Sequence, residues 1–275
     1  MDIAALRERT KELRKTILRV TNKAKNGHVG GSLSEIDILA VLYHNVMNVD
    51  PGRPDWADRD RYIQSKGHAT PGYYTALWDR GYFDLATLES FDQTGSKLQA
   101  HPDMHKCPGV DYSTGSLGQG LSVAIGIELG AQLRGKNFTT FTLIGDGEAQ
   151  EGQVWEALMF AGVRKVKNLV AIFDYNKVQL SSTMADNVDI APLADKLSAF
   201  RWNVLEVDGH DIAALDTVLR KAKTEAAAGP VAVIANTVKG KGVSFMEGQF
   251  AWHGKAPNDS ELEKALEELD QGASK

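Results

Sequence analysis

Thirty residues separate two short sequences that a parallel sheet would bring to one edge. The apolar run at 138–144 ends in Gly145-Asp146-Gly147-Glu148, a helical pattern follows, and a second apolar run at 168–173 leads to Asp174-Tyr175-Asn176. Strand, helix, strand reads as a βαβ unit, whose two strands point the same way; if adjacent, their carboxyl ends lie about 5 Å apart. Asp146 and Asn176 would then converge at the carboxyl edge, where open α/β sheets bind ligands. A carboxylate and an amide oxygen are hard ligands suited to Mg²⁺ or Ca²⁺. Mg²⁺ held by so few protein atoms completes its shell with water and phosphate oxygens, so the pair points to a diphosphate, with the flanking glycines letting backbone N–H groups approach it. Taken alone, the glycine turn is weak, because an aspartate there is often only a turn residue.

Three further short apolar runs, at 61–65, 203–207 and 231–237, also read as strands. Between the last four candidates lie helical faces, such as Val154, Leu158, Ala161 and Gly162, or Ile212, Leu215, Val218 and Leu219. The alternation predicts an α/β fold: a parallel sheet with helices on both faces. The first 130 or so residues are richer in loops, with Gly-His pairs between helical stretches at 34–47 and 117–133, and such loops can cover the ligand-binding edge. No linker, repeat or composition break divides the chain, so residues 1–275 read as a single domain, with 258–275 as a helical tail.

Composition narrows the partners. A net charge of −5 without like-charged blocks gives no electrostatic case for nucleic acid or an anionic membrane. No stretch approaches the ~18 consecutive apolar residues of a spanning helix, and the N-terminus alternates apolar and charged residues unlike a signal peptide. A single cysteine, Cys107, allows neither an internal disulfide nor a thiolate zinc cluster, and cytoplasmic localisation is the default.

The run GDGEAQEG followed by DYN at this spacing is similar to the thiamine diphosphate-binding motif of transketolases. Five further sequences occur in that family's order: NGHVGG around His28, SKGHA around His68, AHPD around His101, STGSLGQG around Gly115 and WHGKAP around His253. The resemblance implies the diphosphate-binding fold of thiamine diphosphate enzymes. It implies Mg²⁺, with Ca²⁺ able to substitute, on Asp146, Asn176 and the Val178 carbonyl, and diphosphate contact by Gly147. It further implies a cofactor cleft lined by Gly115 and Leu117, with Lys239, His68 and His253 close to the cofactor and Glu151 coupling the two active sites of a dimer. His28, His68, His101 and His253 match the histidines that contact donor-sugar hydroxyls and move protons, work suited to imidazoles of near-neutral pKa. Simpler readings stand beside these: Lys239 as a solvated loop lysine, Glu151 and Glu156 as dipole partners in a first helical turn, and Trp155, Leu158 and Met159 as core. His44 and His105 read as structural, and His210 in VDGHD as a turn leading into a helix. The sequence after Asn176, KVQLSSTM, lacks the Asp-Gly turn of many transketolases, which leaves the contacts beyond Val178 open.

In transketolases a glutamate on a second, pyrimidine-binding domain activates the cofactor, and the resemblance covers only the N-terminal half. The start at Met1 and the polar tail lead to the expectation of a natural split subunit. Its partner would be a C-terminal transketolase subunit carrying the pyrimidine domain, in a heterotetramer of two copies of each. Together they would transfer a two-carbon ketol unit between sugar phosphates in pentose phosphate and related carbohydrate metabolism. The alternatives are a component of a deoxyxylulose-phosphate synthase or of a 2-oxoacid dehydrogenase, and a non-catalytic cofactor-binding regulatory subunit; QEG, SKGHA and WHGKAP favour transketolase.

Overall fold

The computed structural model describes residues 1–272. Helix α1 (Ile3–Ala24) starts on Asp2, whose side chain accepts from the Ala5 N–H at 2.9 Å. Helix α2 (Val29–Val41) follows, widens into a π-helical turn at Leu42–Val46, and is buried at all thirteen positions. Strand β1 (Arg61–Gln64), α3 (Thr70–Arg80) and the short α4 (Leu85–Glu89) precede a long loop. The βα alternation then runs α5 (Gly120–Leu133), β2 (Thr140–Gly145), α6 (Gly152–Arg164), β3 (Leu169–Tyr175), α7 (Leu193–Ala199), β4 (Asn203–Asp208), α8 (Ile212–Glu225) and β5 (Val231–Asn236). The predicted helical tail is α9 (Asp259–Gln271), capped by a reciprocal Asn258 and Glu261 pair and packed on α1; residues 273–275 lie outside the described part.

All five expected strands form one parallel sheet, in the order β1-β2-β3-β5-β4. Alternate side chains enter two cores. Val170, Ile172, Val231, Val233 and Ala235 pack with α1, α2, α3 and α8. Leu169, Ala171, Phe173, Ala232 and Ile234 pack with α5, α6 and α7 on the other face. This double burial explains why the central strands read as unbroken apolar runs. Register puts Gly145 opposite Asp174, and Asp174 opposite Ala235, so the ends of β2, β3 and β5 emerge side by side.

Two expectations give way. The NGHVGG stretch is not a loop up to Ser34: α2 begins at Val29, with His28 as its cap. Two adjacent glycines are poor helix formers, but a Cβ on Gly30 would stand 2.8 Å from the Trp252 carbonyl, so the close approach of the 250–253 segment requires glycine. Met159 is half-exposed rather than core, as are its neighbours Phe160 and Val163 on α6.

Helix α6 also supplies a stability prediction. Gly→Ala inside a helix ordinarily gains up to ~1 kcal/mol. At Gly162 the new Cβ would lie 1.8 Å from the Phe200 carbonyl oxygen, which is backbone and cannot swing aside. Gly162→Ala is therefore expected to destabilise by about 2 kcal/mol or more, within the range of overpacked sites. Urea unfolding of the purified chain measures this, and an unchanged or higher midpoint would contradict the packing.

Candidate active site

The turn after β2 buries Asp146, which is 3% exposed. Its Oδ1 accepts from the Gly147 N–H at 2.7 Å, and its Oδ2 accepts from the Lys177 N–H, across on the turn that leaves β3. On that turn Asn176 Oδ1 accepts from the Val178 N–H (3.1 Å), while its Nδ2 donates to Asp174 Oδ2 (3.1 Å). The Val178 carbonyl accepts from Lys239 Nζ at 3.0 Å. The chain then doubles back, with the Gln179 N–H on the Ser182 carbonyl (3.0 Å), where the sequence lacks an Asp-Gly turn. Burial, and next the charge on Asp174, push the Asp146 carboxyl up to about 6. A buried carboxylate in that condition is stabilised by an added cation. Carboxylate, amide and carbonyl oxygens meeting at one sheet edge suit a hard divalent ion completed by ligand oxygens. Among the described residues no cluster of three His, Cys, Asp or Glu offers an all-side-chain metal site.

Beneath this turn lies a buried charge network whose members the sequence reading passed over. Lys66 Nζ bonds Asp174 (2.5 Å), Glu35 (2.7 Å) and the Gly31 carbonyl (3.1 Å). Burial drives Asp174 upward, but the Lys66 ammonium and hydroxyls from Ser34 and Thr237 more than reverse this and hold it below the ordinary aspartate range. For Glu35 burial outweighs the Lys66 ammonium and the Gln64 amide and lifts its carboxyl to about 7. Glu148 is a second hidden clamp: it accepts from Ser65 (2.5 Å), the Gly118 N–H (2.8 Å) and the Gly145 N–H (3.0 Å), tying the 115–118 loop to the end of β2. The only signal for either was a charged residue directly abutting a family motif, Lys66 in SKGHA and Glu148 in GDGE.

Opposite the Asp146 turn stand three imidazoles. Ring centroids of His28 and His68 are 4.9 Å apart, of His28 and His253 5.3 Å, and of His68 and His253 5.1 Å. Lys239, only 3% exposed, places Nζ 3.0 Å from His253 Nδ1, so it is not a solvated loop lysine. The rings depart from the near-neutral expectation. Burial, followed by the charges of His101 and Lys239, lowers His28 to about 4. Burial and Lys239 lower His253 to about 3, and burial with the neighbouring rings takes His68 well down. Burial, then Lys66, also lowers Lys239 to about 8. At neutral pH these imidazoles are uncharged and can each donate and accept one hydrogen bond.

A cleft of about 430 Å³ joins the two walls. It brings together His28, His68, Gly115, Leu117, Asp146, Gly147, Asn176, Val178, Lys239 and His253, with Gly31, Lys66, Glu148 and Gln179 added to the expected set. His101 sits outside it, exposed at a wider opening formed by the 92–101 loop. Its ring lies under Gly115, whose φ of +143° and whose absent Cβ, otherwise 2.9 Å from the imidazole, leave room for it. Glu151 is not brought in: it caps α6 with an exposed side chain, and Glu156 is likewise exposed. His44 pairs with Asp79 at 2.7 Å and His105 is exposed, both away from the cleft.

The family described as transketolase, thiamine diphosphate binding domain, matches residues 7–273. The chain is 42% identical to a 6-deoxy-6-sulfo-D-fructose transketolase subunit of Clostridium sp., over 97% of this chain and 96% of that one. It is 43% identical to an apulose-4-phosphate transketolase subunit of Actinobacillus succinogenes, over 93% and 92%. Among solved structures, transketolase from Campylobacter jejuni superposes with a TM-score of 0.90 at 32% identity, covering 98% of this chain and 43% of that one. The chain thus spans about two fifths of the solved transketolases it matches.

Lys66 yields the prediction for this region. Lys66→Met removes the ammonium and leaves Glu35 and Asp174 buried against each other, a loss of ~3–5 kcal/mol at pH 8. Glu35, already raised to about 7, binds a proton in the folded state that the unfolded chain releases near 4.5. The stabilisation tied to that proton is complete below the unfolded value and disappears as pH rises through the folded one. Loss of the Lys66 ammonium, which lowers Glu35, raises that carboxyl further in the variant. The variant therefore gains more stability than wild type as pH falls, and the penalty should shrink between pH 8 and pH 5; unfolding curves giving the same penalty at both would refute the arrangement.

Proposed function

Since the chain belongs to the family of transketolase thiamine diphosphate-binding domains, we propose that it works as the N-terminal, diphosphate-binding subunit of a two-component transketolase. The observation that carries this reading is one cleft with a hard-oxygen turn on one wall and three neutral imidazoles on the other. The whole chain acts as the cofactor domain, with Asp146, the Asn176 amide oxygen and the Val178 carbonyl holding Mg²⁺ and the Gly147 backbone and Lys239 facing the diphosphate. A cytoplasmic heterotetramer, with the pyrimidine-binding domain on the partner, is the working assembly. The Clostridium and Actinobacillus proteins are named for a sulfonated and a phosphorylated ketose, and an anionic ketose is the donor class proposed here.

When bound, thiamine diphosphate supplies the nucleophilic thiazolium carbon and the electron sink for carbon–carbon cleavage. The chain's own work is to place and protect that chemistry. Uncharged His28, His68 and His253 offer paired donors and acceptors to the donor sugar's hydroxyls without adding positive charge beyond Lys239. His253 Nδ1, already on Lys239 Nζ, leaves Nε2 free to face the substrate. His101 at the outer opening meets the sugar as it enters.

Asp146→Ala should weaken Mg²⁺-dependent thiamine diphosphate binding at least ~100-fold, the usual scale for losing a charged ligand pair of about 3 kcal/mol, while the melting temperature changes little. Calorimetric titration tests this, and unchanged affinity would remove Asp146 from the metal site. Ketol transfer should need the partner subunit; full turnover by the chain alone would overturn the two-component reading. In the reconstituted enzyme, His101→Ala and His253→Ala should keep cofactor affinity within a few-fold and lower turnover by on the order of 10²–10⁴. Wild-type kcat/KM in both would exclude these histidines from the reaction.

A further inference from the structure

Lys239 reaches the cleft from a turn, residues 238–242, that is fixed from outside it. The Val238 N–H donates to His210 Nε2 at 2.8 Å. His210 Nδ1 lies 2.8 Å from Asp37 Oδ2. Asp37 is fully buried on α2 and also bonds Arg14, Nη1 to Oδ1 at 3.0 Å and Nη2 to Oδ2. Arg14 Nε in turn donates to the Lys241 carbonyl at 3.1 Å. The two ends of the lysine's turn are thus tied, through one imidazole and one guanidinium, to the same carboxylate.

The geometry dictates the protonation of His210. A nitrogen that accepts from a backbone N–H carries no proton, so the neutral ring must bear its hydrogen on Nδ1, facing Asp37. Asp37 is held ready to accept it: burial alone would raise its carboxyl, but Arg14 and then His210 bring it down to about 2. The ring itself is set by the Gly209 N–H on the Asn236 carbonyl (2.8 Å), and it does not line the cofactor cleft. It is more than a turn leading into α8, whose cap is Asp211.

We propose that His210, locked in its Nδ1–H tautomer by Asp37 and Arg14, is a positioning residue that holds the Val238 amide and thereby aims the Lys239 ammonium into the cleft. The part Lys239 then plays toward a diphosphate rests on the function proposed above; the mechanical link does not. The side chains of Asn and Gln separate the two bonds. His210→Gln can set its amide oxygen near the Nε2 position and keep an acceptor for Val238, whereas His210→Asn reaches only the Nδ1 position and loses it.

The experiment uses the full chain. Long-range ¹H–¹⁵N spectra of histidine-labelled protein at pH 7.5 should show His210 protonated on Nδ1 and unprotonated on Nε2; the opposite tautomer would overturn the proposal. Deuterium uptake at residues 238–241 should rise about tenfold in His210→Asn, the equivalent of one lost backbone hydrogen bond, and stay within about threefold of wild type in His210→Gln. Equal uptake in both variants, raised or not, would reduce His210 to a packing residue and refute its positioning role. Titration of Mg²⁺ and thiamine diphosphate into the same samples should show affinity reduced roughly three- to thirtyfold in His210→Asn and largely recovered in His210→Gln. If wild-type chain assembled with its partner subunit bound neither, the cofactor reading of the cleft would fall, while tautomer and exchange would still decide whether His210 governs the lysine turn.

Discussion

Lys66 leaves the end of β1 and carries its ammonium into a space closed to water, where Glu35 of α2 and Asp174 of β3 meet it. Burying an ammonium and two carboxyl groups costs several kcal/mol for each that is ionised and is tolerable only when nearly every lone pair and proton is used. Here they are used. Asp174 accepts from Lys66, Ser34, Thr237 and the Asn176 amide, and Glu35 also takes Gln64. The ends of β1, β3 and β5 and the middle of α2 are thereby drawn to one point. The orientation of the Asn176 amide oxygen is thus inherited from an ion cluster one layer deeper, and the edge that receives a ligand is as rigid as that cluster.

Much of this was legible in the residues. The five strands could be read because strands covered on both faces become short apolar runs, and the turns at Asp146 and Asn176 could be paired because a βαβ unit leaves little choice of register. The deeper network was not legible. Lys66, Glu35 and Asp174 are charged residues inside otherwise apolar or glycine-rich stretches, and only tertiary contacts distinguish them from surface charges. Helix α2 hid its start because tertiary packing, of Gly30 on the 250–253 segment and of Gly31 on Ala69 and Lys66, outweighed the poor helix propensity of the two glycines. Glu148 and Glu151 follow the same motif, but the turn at Glu148–Gln150 points Glu148 inward and leaves Glu151 on the surface of the single chain.

The histidine wall shows how a shared environment alters residues that sequence treats one by one. Each imidazole alone would titrate near neutrality. Crowded within about 5 Å of one another and beside Lys239, they disfavour each other's charge, and desolvation acts the same way. The cleft therefore concentrates its fixed positive charge on lysines and its versatile hydrogen bonding on neutral rings. In the function proposed above, anion attraction and hydroxyl recognition would fall to different side chains within one small space.

Helix α2, buried at every one of its thirteen positions, has a further meaning for how such a chain can vary. Most helices keep an outward stripe along which residues are replaced one at a time. This one has none: Gly30 abuts the Trp252 backbone, and Ser32 and Glu35 abut Gly72 of α3. Divergence among descendants of this chain should consequently appear there as paired replacements across helix contacts, making α2 a slow and correlated record of ancestry.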